Sequence, residues 1–329
     1  MDLHRFQGKT VLVSGATGMI GSQVVKRLLE INSVKIIALY RNDKKRDLLF
    51  LEKNPNLTWI KHDICNELDL ADEIDFIVHT AGVTGGSNKH IDAPMTTIKT
   101  ALDGTVNLLE LAKAKAVKGF VYLSSLEIYG KTDFNISTIE ETDGGYIDST
   151  SVRSSYSESK RMCETICAAY CKQFNVPAKI VRLAPTYGKG ASYNDNRVLC
   201  EFAKCIIERR DIVLKSTGDT VRNYCDVDDA VDAILLVLTD GQNGEAYNIA
   251  NMNMEVSIKE LAEHVIALYP ESNIQLRFDL ADDITKLGYN QTVKIRLDSS
   301  KLMKLGWVPK NDLDQMIRNV VGALSDNKI

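Results

Sequence analysis

The chain has 329 residues, which is enough for one large α/β unit or for two linked domains. Apolar residues make up 44% and charged residues 26%, as in ordinary globular proteins. The net charge of −4, without a basic block, argues against nucleic acid or an acidic membrane surface as a partner.

The N-terminus, the apolar runs and the cysteines indicate a cytoplasmic protein. The first residues lead into a strand without the apolar region of a signal peptide, and the apolar run 233–238 is too short to span a bilayer. The seven cysteines form no C-x-x-C pair. Cys163, Cys167 and Cys171 recur one helical turn apart, which predicts buried thiols rather than a metal site. We therefore expect a reduced cytoplasmic protein with no bound metal and no membrane partner.

The first predicted strand, residues 10–14, leads into a glycine-rich turn. The turn reads Gly15-Ala16-Thr17-Gly18-Met19-Ile20-Gly21, and residues 23–31 after it have a helical apolar period. Strand, glycine turn and helix together are typical of a dinucleotide fingerprint, in which glycines let the backbone approach pyrophosphate closely. The helix N-terminus then offers amide groups and a positive dipole end to the phosphates.

The second predicted strand, residues 35–40, ends without the acidic residue that usually binds the ribose of NAD. Tyr40 stands there, and Arg41 and the basic residues 44–46 follow. A guanidinium suits a 2′-phosphate, so the sequence favours NADP as the cofactor. The alternative is NAD, with Asp43 binding the ribose and the basic residues exposed to solvent.

Strands and helices alternate through the first half of the chain. Predicted strands at 59–62, 75–80, 119–124 and 178–183 are interleaved with helices, among them residues 105–116. This rhythm predicts an α/β fold with a doubly wound parallel sheet of the Rossmann type. We assign residues 1–184 to a dinucleotide-binding domain, to which 224–251 return. Residues 185–223 and 252–329 are assigned to a smaller C-terminal substrate-binding lid.

Tyr156 and Lys160 are four residues apart on a predicted helix and therefore lie on one face of it. A free tyrosine has a pKa of about 10 and is a weak base at neutral pH. Because a nearby ammonium favours the phenolate, we expect Lys160 to lower the pKa of Tyr156. Tyr40 and Lys44 have the same spacing, but Tyr40 ends a strand. The first pair is therefore predicted to transfer a proton while a cofactor moves a hydride.

Taken in this order, the motifs resemble those of the extended short-chain dehydrogenase/reductases, in the nucleotide-sugar epimerase/dehydratase branch. The motifs that carry the resemblance are Gly15-x-x-Gly18-x-x-Gly21, Asp63-Ile64, His79-Thr80-Ala81-Gly82, Ser124-Ser125 before Tyr129-Gly130, Tyr156-x-x-x-Lys160, Arg182 to Gly188, and Arg222 before Asp226-Val227-Asp228-Asp229. The resemblance covers nearly the whole chain. It implies hydride transfer at a carbinol of a nucleotide-linked sugar, in polysaccharide precursor synthesis.

The resemblance also assigns roles to matching residues. It implies that the dinucleotide is bound by Gly15, Thr17, Gly18, Met19, Ile20, Gly21, Arg41, Asn42, Asp63, Ile64, Ala81, Gly82, Val83, Tyr156 and Lys160. The implied catalytic residues are Ser125, Tyr156 as acid/base, Lys160 and Glu127. The implied substrate contacts are Thr84, Ser125, Arg197 and Arg222. The two arginines either bind a diphosphate or are surface residues of the lid.

Three positions depart from the family pattern. Dehydratases of the branch usually carry Asp-Glu after the catalytic Ser/Thr, whereas this chain has Leu126-Glu127. Decarboxylases of the branch have a glutamate at the same place, so Glu127 is either catalytic or a polar residue at a strand end. Pro185 and Ala101 each stand where family members usually have asparagine, which weakens the transfer of those contacts.

Three functions stay open at this point. The first is an epimerase, dehydratase or decarboxylase that keeps NAD bound and shows no net redox change. The second is an NADPH-consuming reductase of a nucleotide-linked keto sugar or ketose, which Arg41 and the missing dehydratase aspartate favour. The third is a dinucleotide-binding sensor or scaffold without turnover. The branch commonly dimerises through the helices near 105–116 and 156–172, so we expect a homodimer.

Overall fold

The computed structural model of the protein describes residues 3–49, 54–83, 88–132, 138–281 and 294–326. Its strands are β1 (Thr10–Ser14), β2 (Lys35–Tyr40), β3 (Leu57–Lys61), β4 (Phe76–His79), β5 (Gly119–Ser125), β6 (Ala178–Leu183), β7 (Thr186–Tyr187), β8 (Ile212–Leu214), β9 (Val221–Asp226), β10 (Ala246–Ile249), β11 (Asn251–Ser257), β12 (Leu276–Phe278) and β13 (Lys294–Ile295). Its helices are α1 (Met19–Leu29), α2 (Asp43–Asp47), α3 (Asn88–Asp92), α4 (Pro94–Ala114), α5 (Ser155–Phe174), α6 (Val198–Glu208), α7 (Val227–Asp240), α8 (Ile258–Leu268), α9 (Ser300–Met303) and α10 (Leu313–Asp326). No helix within these ranges is long and apolar enough to cross a membrane.

The main sheet of the described residues has the strand order β10-β6-β5-β4-β1-β2-β3. All of its neighbouring strands run parallel. Their sequences are short apolar runs, because a parallel sheet is covered on both faces. Val11, Leu12 and Val13 of β1 are accordingly fully buried. The predicted doubly wound parallel sheet is confirmed.

Helices cover both faces of this sheet. On one face, Leu28 of α1 and Ile234 of α7 belong to one apolar core. On the other, Leu108 of α4 packs in the same core as Cys163 and Cys167 of α5. These two thiols are buried, as predicted, whereas Cys171 is only half-buried, so the prediction is wrong for this third thiol. The described residues contain no group of three or more His, Cys, Asp or Glu that could hold a metal ion.

A second core lies among the C-terminal elements. Leu199 of α6, Leu261 of α8 and Ile317 of α10 are fully buried in it. Beside it, β9 pairs with β7, β11 and β13 in a smaller sheet. Strand β10 pairs with β6 of the main sheet, and α7 also packs there. The division into domains proposed from the sequence stays a prediction.

The carboxyl ends of the parallel strands gather at one edge of the main sheet. Ser14 and His79 end β1 and β4 opposite each other, and their side chains are hydrogen-bonded at 2.8 Å. Ser125 ends β5 at the same edge. This is the edge at which ligands bind to sheets of this kind. By contrast, Tyr40 ends β2 while Lys44 lies on α2, so this second pair shares no helix.

Candidate functional site

Lys160 lies beneath this edge, one helical turn after Tyr156 on α5. Its Nζ donates a 2.6 Å hydrogen bond to the carbonyl oxygen of Leu123 and lies 4.7 Å from the ring centroid of Tyr122. Burial lowers the pKa of Lys160 to about 8. A Cβ placed on Gly82 would lie 3.8 Å from the same Nζ. The helix thus brings the ammonium under the glycine turn that follows β4.

The surroundings of Tyr156 on balance oppose the ionisation of its phenol. Burial raises the pKa of Tyr156 to about 12, and the negative charge of Glu127 acts in the same direction. A hydrogen bond with Ser125 and the charge of Arg197 act against this rise. The expectation that Lys160 lowers this pKa is therefore wrong: the ammonium is bonded to Leu123, and its Nζ lies 5.9 Å from the phenol ring centroid.

Ser125, Glu127 and Tyr156 converge at the end of β5. The Ser125 hydroxyl accepts a 3.2 Å hydrogen bond from the amide of Glu127, which starts the 3₁₀ turn after the strand. Glu127 faces Arg153, with 3.9 Å between its Oε2 and the guanidinium Nη1. The structure therefore brings together a hydroxyl, a carboxylate and a phenol, which are groups suited to proton transfer.

The glycine turn after β1 has the shape that a dinucleotide requires. Gly15 has a φ of +67°, and a Cβ there would lie 2.8 Å from the backbone of Ala81. A Cβ on Gly21 would lie 2.3 Å from the carbonyl oxygen of Gly15. Gly18 is the N-cap of α1 and offers no side chain to its first amides. These amides are the anion-binding end of a helix, so the residues present fit a pyrophosphate.

The remaining predicted dinucleotide residues line the same edge. The amide of Ala81 donates to the hydroxyl of Ser14 at 3.3 Å. Asp63 accepts a 3.0 Å hydrogen bond from the amide of Cys65, which lowers the pKa of its carboxyl, as does the nearby charge of Arg41. Ile64 is buried against Gly104 of α4. Val83 is the last described residue after β4. Thr84, which was predicted to contact the substrate, lies outside the described residues.

The end of β2 carries exposed positive charge. Arg41 is 59% exposed and lies 3.5 Å from the carboxylate of Asp63. Asn42 caps α2, because its side-chain oxygen accepts from the amide of Lys45 at 3.1 Å. Arg46 donates to the hydroxyl of Tyr40 at 2.9 Å. A basic group therefore stands where the sequence places the adenosine ribose.

The two arginines predicted to bind substrate differ in their contacts. Arg197 donates to both carboxylate oxygens of Asp195, at 2.7 to 3.1 Å, and to the carbonyl oxygen of Thr186 at 3.0 Å. Arg222 lies on β9, and its Nε is buried without a hydrogen-bond partner in the described part of the chain. Arg222 thus keeps a donor that no described residue uses, whereas Arg197 is held by Asp195 and Thr186.

Two residues near Tyr156 were not predicted from the sequence. Arg153 precedes Tyr156 by three residues, a spacing that could have indicated a neighbour. His90 lies on α3 and stacks on the phenol ring, with ring centroids 4.5 Å apart. No periodic pattern marks His90, because the contact joins two separate elements.

Residues 11–250 match the model of the NAD dependent epimerase/dehydratase family. The chain belongs to this family. UDP-glucuronic acid decarboxylase 2 of Arabidopsis thaliana is 31% identical over 311 residues, which cover 94% of this chain and 66% of that protein. UDP-glucuronic acid decarboxylase 3 of the same plant is 32% identical over 304 residues, which cover 91% of this chain and 84% of that protein. The chain thus spans just under two thirds of the length of the first relative. The family match confirms the resemblance that the motifs indicated.

Solved structures of the epimerase/dehydratase type share the fold. The dTDP-glucose 4,6-dehydratase of Bacillus anthracis, in complex with NAD, has a TM-score of 0.79 at 23% identity and covers 97% of both chains. The UDP-glucose 4-epimerase of Thermotoga maritima, with UDP-glucose, has a TM-score of 0.81 at 22% identity and covers 95% of this chain and 98% of its own. At these identities the likeness establishes the fold of this family member.

Proposed function

We propose that this protein is an NAD-dependent enzyme that oxidises a carbinol of a nucleotide-linked sugar, with Tyr156 as acid/base. The reaction proposed first is decarboxylation of a nucleotide-linked uronic acid. The observation that carries the proposal is the convergence of Tyr156 with Ser125 and Glu127 at the end of β5. The curated relatives act as UDP-glucuronic acid decarboxylases, and Glu127 supports the same chemistry here.

Each residue of the site would have its own role in proton transfer. When bound, the dinucleotide supplies the hydride acceptor. Ser125 would hydrogen-bond the reacting oxygen, and Tyr156 would take the carbinol proton and later return it. The raised pKa of Tyr156 makes its phenolate a stronger base and its phenol a weaker acid, so it favours uptake of the carbinol proton over its return. Lys160 would contact the nicotinamide ribose.

The dinucleotide would lie along the edge of the sheet. The residues proposed to hold it are Gly15, Thr17, Gly18, Met19, Ile20 and Gly21 at the pyrophosphate, Arg41 and Asn42 at the adenosine ribose, Asp63 and Ile64 at the adenine, and Ala81, Gly82 and Val83 towards the nicotinamide. Arg222, whose buried Nε has no hydrogen-bond partner among the described residues, would bind the substrate diphosphate. Thr84 is also proposed to contact the substrate. Arg197 could bind the diphosphate only after it releases Asp195.

The experiment is an end-point assay of the purified protein with NAD and UDP-glucuronate. Mass spectrometry should detect a UDP-pentose and equimolar carbon dioxide, with no net change in absorbance at 340 nm. Glu127→Gln is the matched variant, because it keeps the shape of the side chain and removes its charge. A UDP-hexuronate epimer as the product would exclude decarboxylation and retain the carbinol oxidation.

A reductase of a nucleotide-linked keto sugar is the second candidate. The observation that favours it is the end of β2, where Arg41 is 59% exposed and could bind a 2′-phosphate. This candidate requires NADP rather than NAD. Dissociation constants for NADPH and NADH should then differ in favour of NADPH, and Arg41→Ala should abolish the difference. Preference for NADH in the unmodified protein would remove this candidate.

A homodimer and a cytoplasmic location complete the proposal. Met95 of α4 and Met162 and Phe174 of α5 are 61%, 51% and 37% exposed, respectively, so the helices predicted to pair carry exposed apolar side chains. All seven cysteines are free thiols, the state expected in a reducing compartment. Light scattering of the purified protein should give twice the mass of the chain, and Met162→Glu should shift it towards the monomer.

A further inference from the structure

A histidine outside the predicted motifs stacks on the phenol ring of Tyr156. The ring centroids of His90 and Tyr156 are 4.5 Å apart, and the ring planes are inclined by 29°. His90 comes from α3, which packs against the start of α5. Because His90 is 7% exposed, its imidazole is part of the wall around the phenol rather than a surface group.

His90 also contacts Ser155 and Thr97. Its backbone carbonyl accepts a 3.1 Å hydrogen bond from the hydroxyl of Ser155, the residue directly before Tyr156. Its ring Nδ1 lies 3.2 Å from the hydroxyl oxygen of Thr97 on α4. The same residue therefore fixes both the backbone next to Tyr156 and a face of the Tyr156 ring.

The phenol needs such support because its reacting atom is at the far end of the side chain. A small rotation about χ1 within one rotamer well displaces the hydroxyl from a hydrogen-bonding position. The ammonium of Lys160 is bonded to Leu123 and lies 5.9 Å from the phenol ring centroid. A flat ring stacked on the phenol restricts this rotation directly.

We propose that His90 is a positioning residue that holds the hydroxyl of Tyr156 at Ser125 for proton transfer. The inference rests on the proposed function, in which Tyr156 is the acid/base. A displacement of the reacting group by about 1 Å can cost on the order of 10²-fold in rate. The imidazole also covers the phenol, and burial is the largest cause of the raised pKa of Tyr156.

Two variants separate positioning from a general effect on folding. His90→Ala removes the stacked ring, whereas His90→Phe keeps a flat ring without the imidazole nitrogens. We expect His90→Ala to lower kcat by about 10- to 100-fold with little change in KM or in the dinucleotide dissociation constant. His90→Phe should recover most of kcat. A wild-type kcat in His90→Ala, or an equal loss of kcat in both variants, would overturn the proposal.

A second measurement does not depend on turnover. The pKa of Tyr156 is followed by NMR of the full chain labelled with ¹³C at the tyrosine ring. This pKa should fall from about 12 in His90→Ala, because the phenol loses the ring that covers it, and stay raised in His90→Phe. Glu127 and Arg197 are unchanged in both variants, so their charges cannot cause the difference. If this pattern holds while no nucleotide sugar is converted, positioning stands and the proposed function fails. An unaltered pKa in His90→Ala overturns positioning whether or not the protein is active.

Discussion

The guanidinium of Arg153 lies 3.9 Å from the carboxylate of Glu127, and each side chain is about one third exposed. Glu127 in turn raises the pKa of Tyr156 through its charge. Arg153 precedes Tyr156 by one turn. Its positive charge faces the carboxylate of Glu127, and the negative charge of that carboxylate acts on the phenol of Tyr156. The charge of Glu127 thus adds to burial, the largest cause, in holding the proton on the phenol.

Opposite substitutions in this chain should have opposite effects. Glu127→Gln removes the negative charge beside Tyr156, so the pKa of the phenol should fall, and the limb on which kcat rises as Tyr156 ionises should move to lower pH. Arg153→Gln leaves the carboxylate uncompensated, so the same limb should move to higher pH. Initial rates measured across the alkaline range check both expectations. Shifts in the same direction for the two variants would contradict the proposed role of Glu127.

The ion pair of Arg182 with Glu164 should be important for folding. The two side chains are 13% and 11% exposed, and they meet at 2.7 Å. Breaking a buried pair by removing one partner leaves an uncompensated charge and costs about 3–5 kcal/mol. Arg182→Met should therefore lower the free energy of unfolding in urea by this amount. Lys259→Met, which breaks an exposed pair with Glu263, is the control and should cost about 0–1 kcal/mol.

The buried carboxyl of Asp226 should make the stability depend on pH. Burial raises its pKa to about 6, although it accepts a 3.0 Å hydrogen bond from Asn319. An acid whose pKa is raised on folding contributes stability below its unfolded pKa of about 4 and loses that contribution as pH rises through the folded value. Asp226→Asn should therefore raise the free energy of unfolding at neutral pH, by ~1–3 kcal/mol.

This gain should disappear at acidic pH, where the carboxyl is protonated in both states. Thermal unfolding of the variant and the wild type at a series of pH values measures the difference. Asp47→Asn is the control, since Asp47 is 53% exposed and paired with Arg46. A gain from Asp226→Asn that is the same at every pH would show that the charge is not the cause.

The fold and the chemical core of the site could be predicted because local patterns encode them. Apolar strands, the turn from Gly15 to Gly21 and the spacing of Tyr156 and Lys160 depend on nearby residues alone. The predicted shift in the pKa of Tyr156 had the wrong direction. The shift depends on burial of the phenol and on its distance from Glu127, and the sequence shows neither. The stacking of His90 and the capture of Arg197 by Asp195 are contacts of side chains in three dimensions, which spacing does not reveal.

The central claim is that the hydroxyl of Tyr156 transfers the carbinol proton. The most direct measurement is the rate of product formation by Tyr156→Phe with NAD and the nucleotide sugar, together with its dinucleotide dissociation constant. The account predicts a loss of about 10²- to 10⁴-fold in kcat, as expected for removal of a general acid/base, with dinucleotide binding retained. Product formation at the wild-type rate by Tyr156→Phe would contradict it.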